Sequence, residues 1–218
     1  MSISAATLKK EVRSVLKQQG YQVKRNGLFC LTNNEREAWR KAHEIAKAER
    51  LSEKEDFLRS NIKLIQPHLI DGTKLDIQKI DPVLIEVKPE SKEEQFFRWW
   101  NIVWWSLPYE RAYGRQMRFI VWDKYHDAPI GLIGLQSPIL NWGPRDKYLG
   151  INPDERDYWV NQSLSAQRLG ALPPYNDILG GKLVALLMTS DVVRKKFRKK
   201  YSDQKTILED RILPPNLL

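Results

Sequence analysis

Apolar residues recur at helical spacing near the start of the chain, where they predict a helix over residues 4–19. Its apolar face consists of Leu8, Val12, Val15 and Leu16. Two short apolar runs then flank an Asn26-Gly27 pair, which is a strong signal for a hairpin turn. Residues 34–61 are highly charged, contain neither Pro nor Gly, and predict one or two helices. We therefore expect an N-terminal helical module with a short hairpin over residues 1–75.

Between residues 92 and 106 the polar face of the helical pattern almost disappears. The apolar positions of this tryptophan-rich block are Phe96, Phe97, Trp99, Trp100, Ile102, Val103, Trp104 and Trp105. A helix that is apolar on all sides is buried in a core or meets a partner. We interpret the block as buried, because a platform that stacks bases needs spaced and exposed rings.

The second half of the chain alternates between strand and helix patterns. Strands over residues 117–122 and 129–135 flank a polar turn and predict an antiparallel hairpin. Gly131 and Gly134 interrupt the second strand, which indicates a bulge or a close approach of the backbone. A further strand over residues 168–172 and a long helix over residues 178–201 complete the pattern. Residues 84–87 predict one more short strand, and residues 154–162 predict a helix.

This order of elements predicts an α/β or α+β protein. Residues 76–218 are expected to form a core of a mixed sheet with flanking helices. The strand order resembles the core of the GNAT acetyltransferase-like fold, in which a helix start binds the pyrophosphate of coenzyme A. Only one of three loop positions, Gly180, fits that fold's usual binding loop. The resemblance therefore concerns the architecture and not acetyl transfer.

The same turn is a candidate anion site. The strand near residue 169 ends at Pro173-Pro174, and Asn176 or Asp177 is the expected N-cap of the helix that follows. The candidate phosphate-binding residues are Asn176, Gly180, Gly181 and Lys182. Unpaired N–H groups and the helix dipole favour an anion at such a start. The alternative is that the glycines permit tight packing of the helix on the sheet. Neither a Walker A loop nor a GxGxxG motif is present.

The chain is basic, with a net charge of +9 and a pI of about 9.5. Six cations cluster within seven residues, namely Arg194, Lys195, Lys196, Arg198, Lys199 and Lys200. A basic surface attracts polyanions, of which nucleic acid is the commonest. The cluster is either a patch that contacts phosphates or the solvated end of a helix, where cations also complement the dipole.

No complete catalytic motif can be found, so whether the protein is an enzyme stays open. The single cysteine, Cys30, excludes an intramolecular disulfide and a cysteine-based zinc site. The three histidines are scattered and lack metal-ligand spacing, so we expect no metal. Asp81, Glu86 and Lys88 resemble the acidic pair and lysine of some nucleases, but a Glu-x-Lys pattern is common by chance in so charged a chain.

A polar pair, Arg145-Asp146, follows a strand and lies between aromatic residues. The pair either holds a loop in place or belongs to a ligand-facing loop.

No run of about 18 apolar residues predicts a membrane span, and the first residues do not match a signal peptide. We therefore expect a cytoplasmic protein.

Four stretches together resemble the DruA family of Druantia anti-phage systems, long described as a domain of unknown function. They are residues 114–119, 130–135, 141–150 and 168–183, and the resemblance covers about residues 75–205. It implies a prokaryotic protein of antiviral defence that acts with other proteins of the same system, and it supplies no catalytic residues. Members of the family tend to be longer and to continue with further strands. We therefore expect a truncated chain that lacks its C-terminal strands.

Three functions follow from these patterns. The first, which we favour, is a nucleic-acid-associated component of antiviral defence that binds through the cations of residues 194–200. The second is a GNAT-like enzyme or ligand-binding domain that holds coenzyme A or another phosphate ligand at residues 176–182. The third is a non-catalytic assembly subunit that uses the tryptophan-rich block as its partner surface. No other cofactor is expected.

Overall fold

The chain divides into two compact units. The computed structural model describes residues 4–18, 21–31, 35–105, 114–178, 180–206 and 210–217. The first unit comprises residues 1–60 and 99–109, and the second comprises residues 61–98 and 110–218. The predicted boundary between residues 75 and 76 stays a prediction. None of the helices in the described ranges is both long and apolar enough to cross a bilayer.

The first unit is mainly helical, as its sequence pattern predicted. Its elements are α1 (Ala5–Gln18), β1 (Tyr21–Val23), β2 (Phe29–Leu31), α2 (Glu35–Glu53) and α3 (Glu55–Ser60). The predicted hairpin is confirmed, with Tyr21 opposite Leu31. Gly27 adopts a φ of 82° in the turn, a conformation that glycine tolerates and that the Asn-Gly signal indicated.

The second unit contains the larger sheet and its helices. In chain order its elements are α4 (Ile62–Ile65), β3 (Pro82–Glu86), α5 (Lys92–Trp104), β4 (Gln116–Asp123), β5 (Ala128–Gln136), α6 (Gly143–Leu149), α7 (Arg156–Asn161), β6 (Ser165–Ala171), α8 (Gly180–Met188) and α9 (Asp191–Tyr201). The residues of α5 from Trp99 onward belong to the first unit. Short 3-10 turns connect α4 to β3 and precede α7 and α8.

The four strands of the second unit form one sheet in the order β3-β4-β5-β6. The α/β class is confirmed, but the strand directions differ from the mixed sheet that we expected, because all three pairings are antiparallel. A tight turn over residues 124–127 reverses the chain between β4 and β5. The connection through α6 and α7 then returns β6 antiparallel to β5. The similarity to the GNAT-like fold stays a prediction.

Side chains on both faces of this sheet are buried. Met117, Phe119 and Val121 alternate along β4 and join one cluster with residues of α8 and α9. On the other face the ring of Trp122 lies 5.3 Å from that of Phe96 in α5. Strands covered on both faces read as nearly continuous apolar runs, and β5 follows this rule.

The glycines of β5 allow the close approaches that the sequence indicated. A Cβ on Gly131 would lie 2.5 Å from the carbonyl oxygen of Gly170 and 2.6 Å from a methyl of Val184. The β5–β6 register shifts between Gly134 and Leu135. Glycine is therefore required where α8 crosses the sheet, because a side chain would separate the two layers.

The prediction of one helix over residues 178–201 is wrong, because the chain forms α8 and α9 with a break at Thr189 and Ser190. Ser190 is extended, with φ −70° and ψ 158°, and precedes α9 at its N-cap position. The N–H groups of Thr189 and Ser190 donate back to the carbonyls of Leu186 and Leu187. The Ser190 side chain makes no capping hydrogen bond, but Asp191 in the first turn favours a new helix start through the helix dipole.

Candidate nucleic-acid interface

The candidate interface lies on α9, whose two sides differ in chemistry. Val193, Phe197 and Tyr201 recur every four residues and are buried in the core of the second unit. The Tyr201 hydroxyl accepts the N–H of Gln116 at 2.7 Å and donates to the carbonyl of the same residue. These contacts fix α9 against the start of β4, so its cations lie outside the core.

Five of the six predicted cations are exposed, and four of them form what we call the basic face, which consists of Arg194, Lys195, Arg198 and Lys199. Arg194 lies 3.7 Å from Asp191, whose side chain is 79% exposed. An ion pair this exposed to solvent is weak, so Arg194 can still bind another anion. In the part of the chain that the structure describes, no acid pairs with Lys195, Arg198 or Lys199. The basic face therefore keeps its charge available to a partner.

The remaining two cations turn toward the edge of the sheet. Lys196 pairs with Glu86 at 2.9 Å, and Lys200 donates to the carbonyl of Gln116 at 2.8 Å. Partial burial lowers the pKa of Lys200; Glu86 opposes this effect and Arg118 adds to it. The six predicted cations are thus two sets, because helical geometry separates positions 196 and 200 from their neighbours.

Lys200 also lines a small cavity of about 290 Å³ at this edge. We call its charged lining the basic cleft, which comprises Lys88, Arg118, Lys200 and Glu94. Glu94 lies 3.4 Å from Arg118 and offsets one of the three cations. The cleft is therefore positive overall and adjoins the basic face through consecutive residues, Lys199 and Lys200.

The predicted anion site at residues 176–182 has a different local structure from the expected one. Asn176 and Asp177 form a 3-10 turn after a cis Pro173-Pro174 bond, and the Asn176 amide donates to the Asp177 carboxylate at 2.9 Å. Neither residue caps α8, which begins at Gly180 with a φ of 55°. A Cβ on Gly180 would meet nothing within 4 Å, so tight packing does not explain this glycine.

Of the other residues in that site, Gly181 and Lys182 are exposed, and Leu179 lies outside the described residues. Accessible backbone and one cation are therefore present at the start of α8. The assignment of a phosphate ligand to this turn stays a prediction.

Arg145 and Asp146 lie at the start of α6 and are largely buried. Arg145 donates twice to the Asp146 carboxylate, at 2.8 and 2.5 Å, and also to the carbonyls of Ile139 and Leu140. Arg156 reaches the other carboxylate oxygen at 3.2 Å. Burial raises the pKa of Asp146, but the hydrogen bonds and charge of Arg145 outweigh it and lower the pKa. These contacts favour the loop-holding alternative over a ligand-facing role.

A buried polar network in the β4–β5 turn was missed by the sequence analysis. Asp123 is fully buried and accepts hydrogen bonds from His126 at 2.7 Å and from the Tyr175 hydroxyl at 2.9 Å. The other carboxylate oxygen accepts the N–H groups of Asp81 and Tyr125, each at 3.0 Å. The i,i+3 spacing of Asp123 and His126 in a polar turn was the available signal, whereas nothing local connects Tyr175 to them.

The histidine of this network is structural. Nε2 of His126 accepts the N–H of Asp76 at 3.1 Å, so Nδ1 carries the proton that is donated to Asp123. Both ring nitrogens are occupied, which leaves no free nitrogen for a general base. Burial raises the pKa of Asp123, but the hydrogen bonds from Asp81, His126 and Tyr175 outweigh it and lower the pKa.

A family model, Druantia protein DruA, matches residues 33–218. The chain belongs to the Druantia protein DruA family. A curated relative, "Druantia protein DruA" from Escherichia coli (strain UMEA 4076-1), is 31% identical over all 218 residues. The match covers 54% of that protein, so the chain spans about half of the relative's length. No solved structure matches the chain.

The DruA match contains every residue of the basic face and the basic cleft, together with the predicted sites at 145–146 and 176–182. α1 and the first hairpin lie before it. The family assignment therefore rests on the same part of the chain as the candidate sites.

The tryptophan-rich block is mainly buried, as the sequence analysis expected. Five of its eight apolar residues are at most 9% exposed, namely Phe96, Phe97, Trp99, Trp100 and Ile102. These five side chains are unavailable as a stacking platform or a partner surface.

In the nuclease-like pattern, Glu86 pairs with Lys196. No group of three metal-ligating side chains occurs among the described residues.

Proposed function

We propose that this chain is a component of an antiviral defence system and that it contacts nucleic acid through the basic face of α9. Membership of the DruA family supports the role in defence, since the relative from Escherichia coli is named as a Druantia protein. The proposal includes action in the cytoplasm together with other proteins of that system.

The basic face is the observation that carries the nucleic-acid part of the proposal. Lys195, Arg198 and Lys199 lie on consecutive turns of one helix, and the buried stripe of α9 holds that helix to the sheet. Cations that a fold presents without acid partners attract phosphates, and release of counterions makes such binding favourable. The net charge of +9 also attracts nucleic acid, and this attraction extends over longer distances than the individual contacts.

The basic cleft extends this surface toward the sheet edge. Lys200 follows Lys199 along α9 and lies in the cleft with Arg118 and Lys88. A nucleic-acid backbone that follows the basic face would therefore meet a second group of cations. Because lysine and arginine contacts to phosphates carry no base information, we expect binding with little sequence preference.

The test replaces three exposed cations by acids, in the triple variant Lys195→Glu, Arg198→Glu and Lys199→Glu. Fluorescence anisotropy with labelled single-stranded DNA, duplex DNA and single-stranded RNA, at 50 to 200 mM salt, measures affinity. We expect at least a tenfold loss and a salt slope smaller by about 2 to 3, because each phosphate contact contributes about 0.7 to 0.9 to the slope.

The matched control changes the net charge equally at three scattered exposed lysines, as Lys63→Glu, Lys124→Glu and Lys147→Glu. This variant should lose much less affinity. An equal loss of affinity in both variants would mean that net charge alone explains the binding. An affinity that does not change with salt concentration would contradict contacts to phosphates.

The role in defence has its own test. Cells that carry a complete Druantia gene set, with this chain in place of its relative, are challenged with phage and plaques are counted. We expect protection with the unchanged chain and a loss of at least tenfold with the triple variant. No protection from the unchanged chain, despite its stable expression, would contradict the defence role and leave the binding result unaffected.

The accessible start of α8 favours a second candidate function, a site for coenzyme A or another phosphate ligand at residues 176–182. Its support is the open space where a Cβ of Gly180 would lie, together with the exposed Gly181 and Lys182. Calorimetry with acetyl-coenzyme A tests it, and Lys182→Ala should weaken any binding. The absence of both heat and thermal shift at millimolar ligand would reject it.

A further inference from the structure

A second and larger cavity in the same unit lies apart from the exposed basic face. It has a volume of about 490 Å³ and is bounded by the two residues before β4, the end of β5 with the loop after it, the end of α7, and the end of α9 with the residues after it. That volume is typical of sites that bind small molecules, which usually range from about 300 to 1,000 Å³. None of the anion-site or loop residues predicted from the sequence lines it.

One wall of the cavity is a buried guanidinium group. Arg115 is only 7% exposed, and its Nη1 donates to the carbonyl of Asn161 at 2.5 Å. The guanidinium carbon lies 5.5 Å from the ring centre of Phe197 and 5.0 Å from that of Tyr201. At these distances the aromatic rings attract the cation and replace part of the stabilisation that it would gain from water.

The guanidinium group nevertheless lacks the partner that a buried cation usually has. Its Nη2 is buried without any hydrogen-bond partner, and no carboxylate in the described part of the chain pairs with Arg115. Buried charges in proteins are normally paired, and unpartnered buried nitrogens are rare enough to need an explanation. Arg115 lines the cavity, and a small rotation of its side chain would let a carboxylate or phosphate there accept a hydrogen bond from this nitrogen.

The backbone holds Arg115 in a set position beside the cavity. Its N–H donates to the Ser137 hydroxyl at 2.9 Å, and its carbonyl accepts the N–H of Ser137 at 2.8 Å. Gly114 permits this approach, since it has a φ of 73° and a Cβ there would lie 2.5 Å from the serine oxygen. The cation is therefore held in place before any ligand binds, which reduces the entropic cost of binding.

The rest of the wall is mostly apolar. Ile139, Leu140 and Val160 line the cavity, and Ile139 is 70% exposed at its rim. Lys205 adds a second cation, although it pairs with the exposed Asp210 at 3.1 Å. An apolar surface next to a fixed cation suits a molecule with an acidic group and an apolar body.

From this arrangement we propose that the cavity binds a small organic acid, with its carboxylate or phosphate group on Arg115 and its apolar body against Ile139, Leu140 and Val160. The site uses none of the cations of the basic face. Its ligand is therefore distinct from the nucleic acid of the proposed function, and the two proposals can fail separately.

The first experiment titrates the whole chain with simple probes that share one body. Phenylacetate and phenyl phosphate carry the two acidic groups, phenylacetamide is the uncharged control, and inorganic phosphate lacks the apolar body. Isothermal titration calorimetry should give saturable binding of at least one acid, at least tenfold tighter than phenylacetamide and inorganic phosphate. The stronger of the two acids identifies the acidic group.

The second experiment uses a variant that leaves the core intact. Ile139→Glu places a negative charge at the exposed rim, and we expect the affinity for the acid to fall at least tenfold. The matched control is Ile77→Glu, which introduces the same charge at a residue that is 58% exposed and does not line the cavity. The control should bind the acid within twofold of the unchanged protein.

Arg115→Met provides the last readout, because it removes the charge and keeps an apolar stem. We expect the acid to lose its tenfold advantage over phenylacetamide while weak binding of the uncharged probe persists. Three results would overturn the proposal: no saturable binding of either acid, equal binding of phenylacetamide, or an Ile139→Glu variant that binds as tightly as the Ile77→Glu control.

Discussion

Helices α1 and α9 have similar apolar stripes but opposite degrees of burial. Leu8, Val12 and Val15 of α1 are 54%, 47% and 48% exposed, and none of its described residues is buried. In α9, Val193 and Phe197 are completely buried and Tyr201 is 3% exposed. Both apolar stripes have helical periodicity in the sequence, but of these two helices only α9 contributes described residues to the core cluster.

The comparison indicates that the core of the second unit depends on its sheet. The stripe of α9 joins side chains of β4 and β5 in one cluster, and the polar network of Asp123 holds the turn between those strands. Most helical stability in proteins comes from such packing and not from the propensity of the helix alone. We therefore expect substitutions to cost much more in the second unit than in α1.

The largest effect is expected from Phe197→Ala. Removing a fully buried ring from the core should reduce the free energy of unfolding by about 3 to 5 kcal/mol. The matched control is Val192→Ala on the same helix, which is 45% exposed and should cost less than about 1 kcal/mol. Urea unfolding followed by circular dichroism measures both, and similar losses would contradict a core centred on this stripe.

Asp123→Asn should have the next largest effect, a loss of about 2 kcal/mol, because the amide nitrogen cannot accept the hydrogen bonds that the carboxylate receives. The pKa of Asp123 is lowered in the folded chain, relative to about 3.9 in an unfolded one. Its contribution is therefore complete above about pH 4 and is lost as the pH falls through the folded pKa.

Unfolding measured between pH 7 and pH 2 should consequently show a smaller acid-dependent decline in Asp123→Asn than in the unchanged protein. Asp154→Asn, at an exposed aspartate, is the control and should keep the original pH profile. Equal profiles in all three proteins would mean that Asp123 does not contribute in its ionised form.

Gly131→Ala tests the close contact between α8 and the sheet. The new methyl would overlap the Gly170 carbonyl and Val184, so we expect a loss of about 1 to 3 kcal/mol. Gly143→Ala is the control, since a Cβ there meets nothing within 4 Å, and it should be neutral or slightly stabilising. A tolerated Gly131→Ala would show that the two layers can separate without cost.

The smallest effect is expected from Leu8→Ala in α1, within about 0.5 kcal/mol, because the side chain is already half exposed. Hydrogen exchange with mass spectrometry extends this test to the backbone. Amides of α1 should exchange faster than those of β4 and β5, since few buried contacts protect them. Slow exchange in α1, or a large loss from Leu8→Ala, would remove the contrast between the two helices.

Local patterns in the sequence were sufficient to predict most of the elements. The Asn-Gly turn, the β4–β5 hairpin, the glycines of β5 and the apolar helix at residues 92–104 are all present. Each depends on residues that are neighbours along the chain, so their periodicity and turn chemistry contain the information. The break between α8 and α9 was missed, because the apolar periodicity continues across Thr189 and Ser190.

The candidate functional residues also include some that the sequence could reveal and others that only the tertiary structure shows. Six neighbouring cations could be recognised as a cluster, but their separation into a basic face and a sheet-edge pair depends on how α9 lies on β3 and β4. The cavity at Arg115 and the contact between Asp123 and Tyr175 join residues 46 to 52 positions apart. Periodicity and composition contain information only about residues that are close together in the sequence. Distances between such remote positions arise only when strands pair and helices pack, and these distances determine which charges remain buried without a partner.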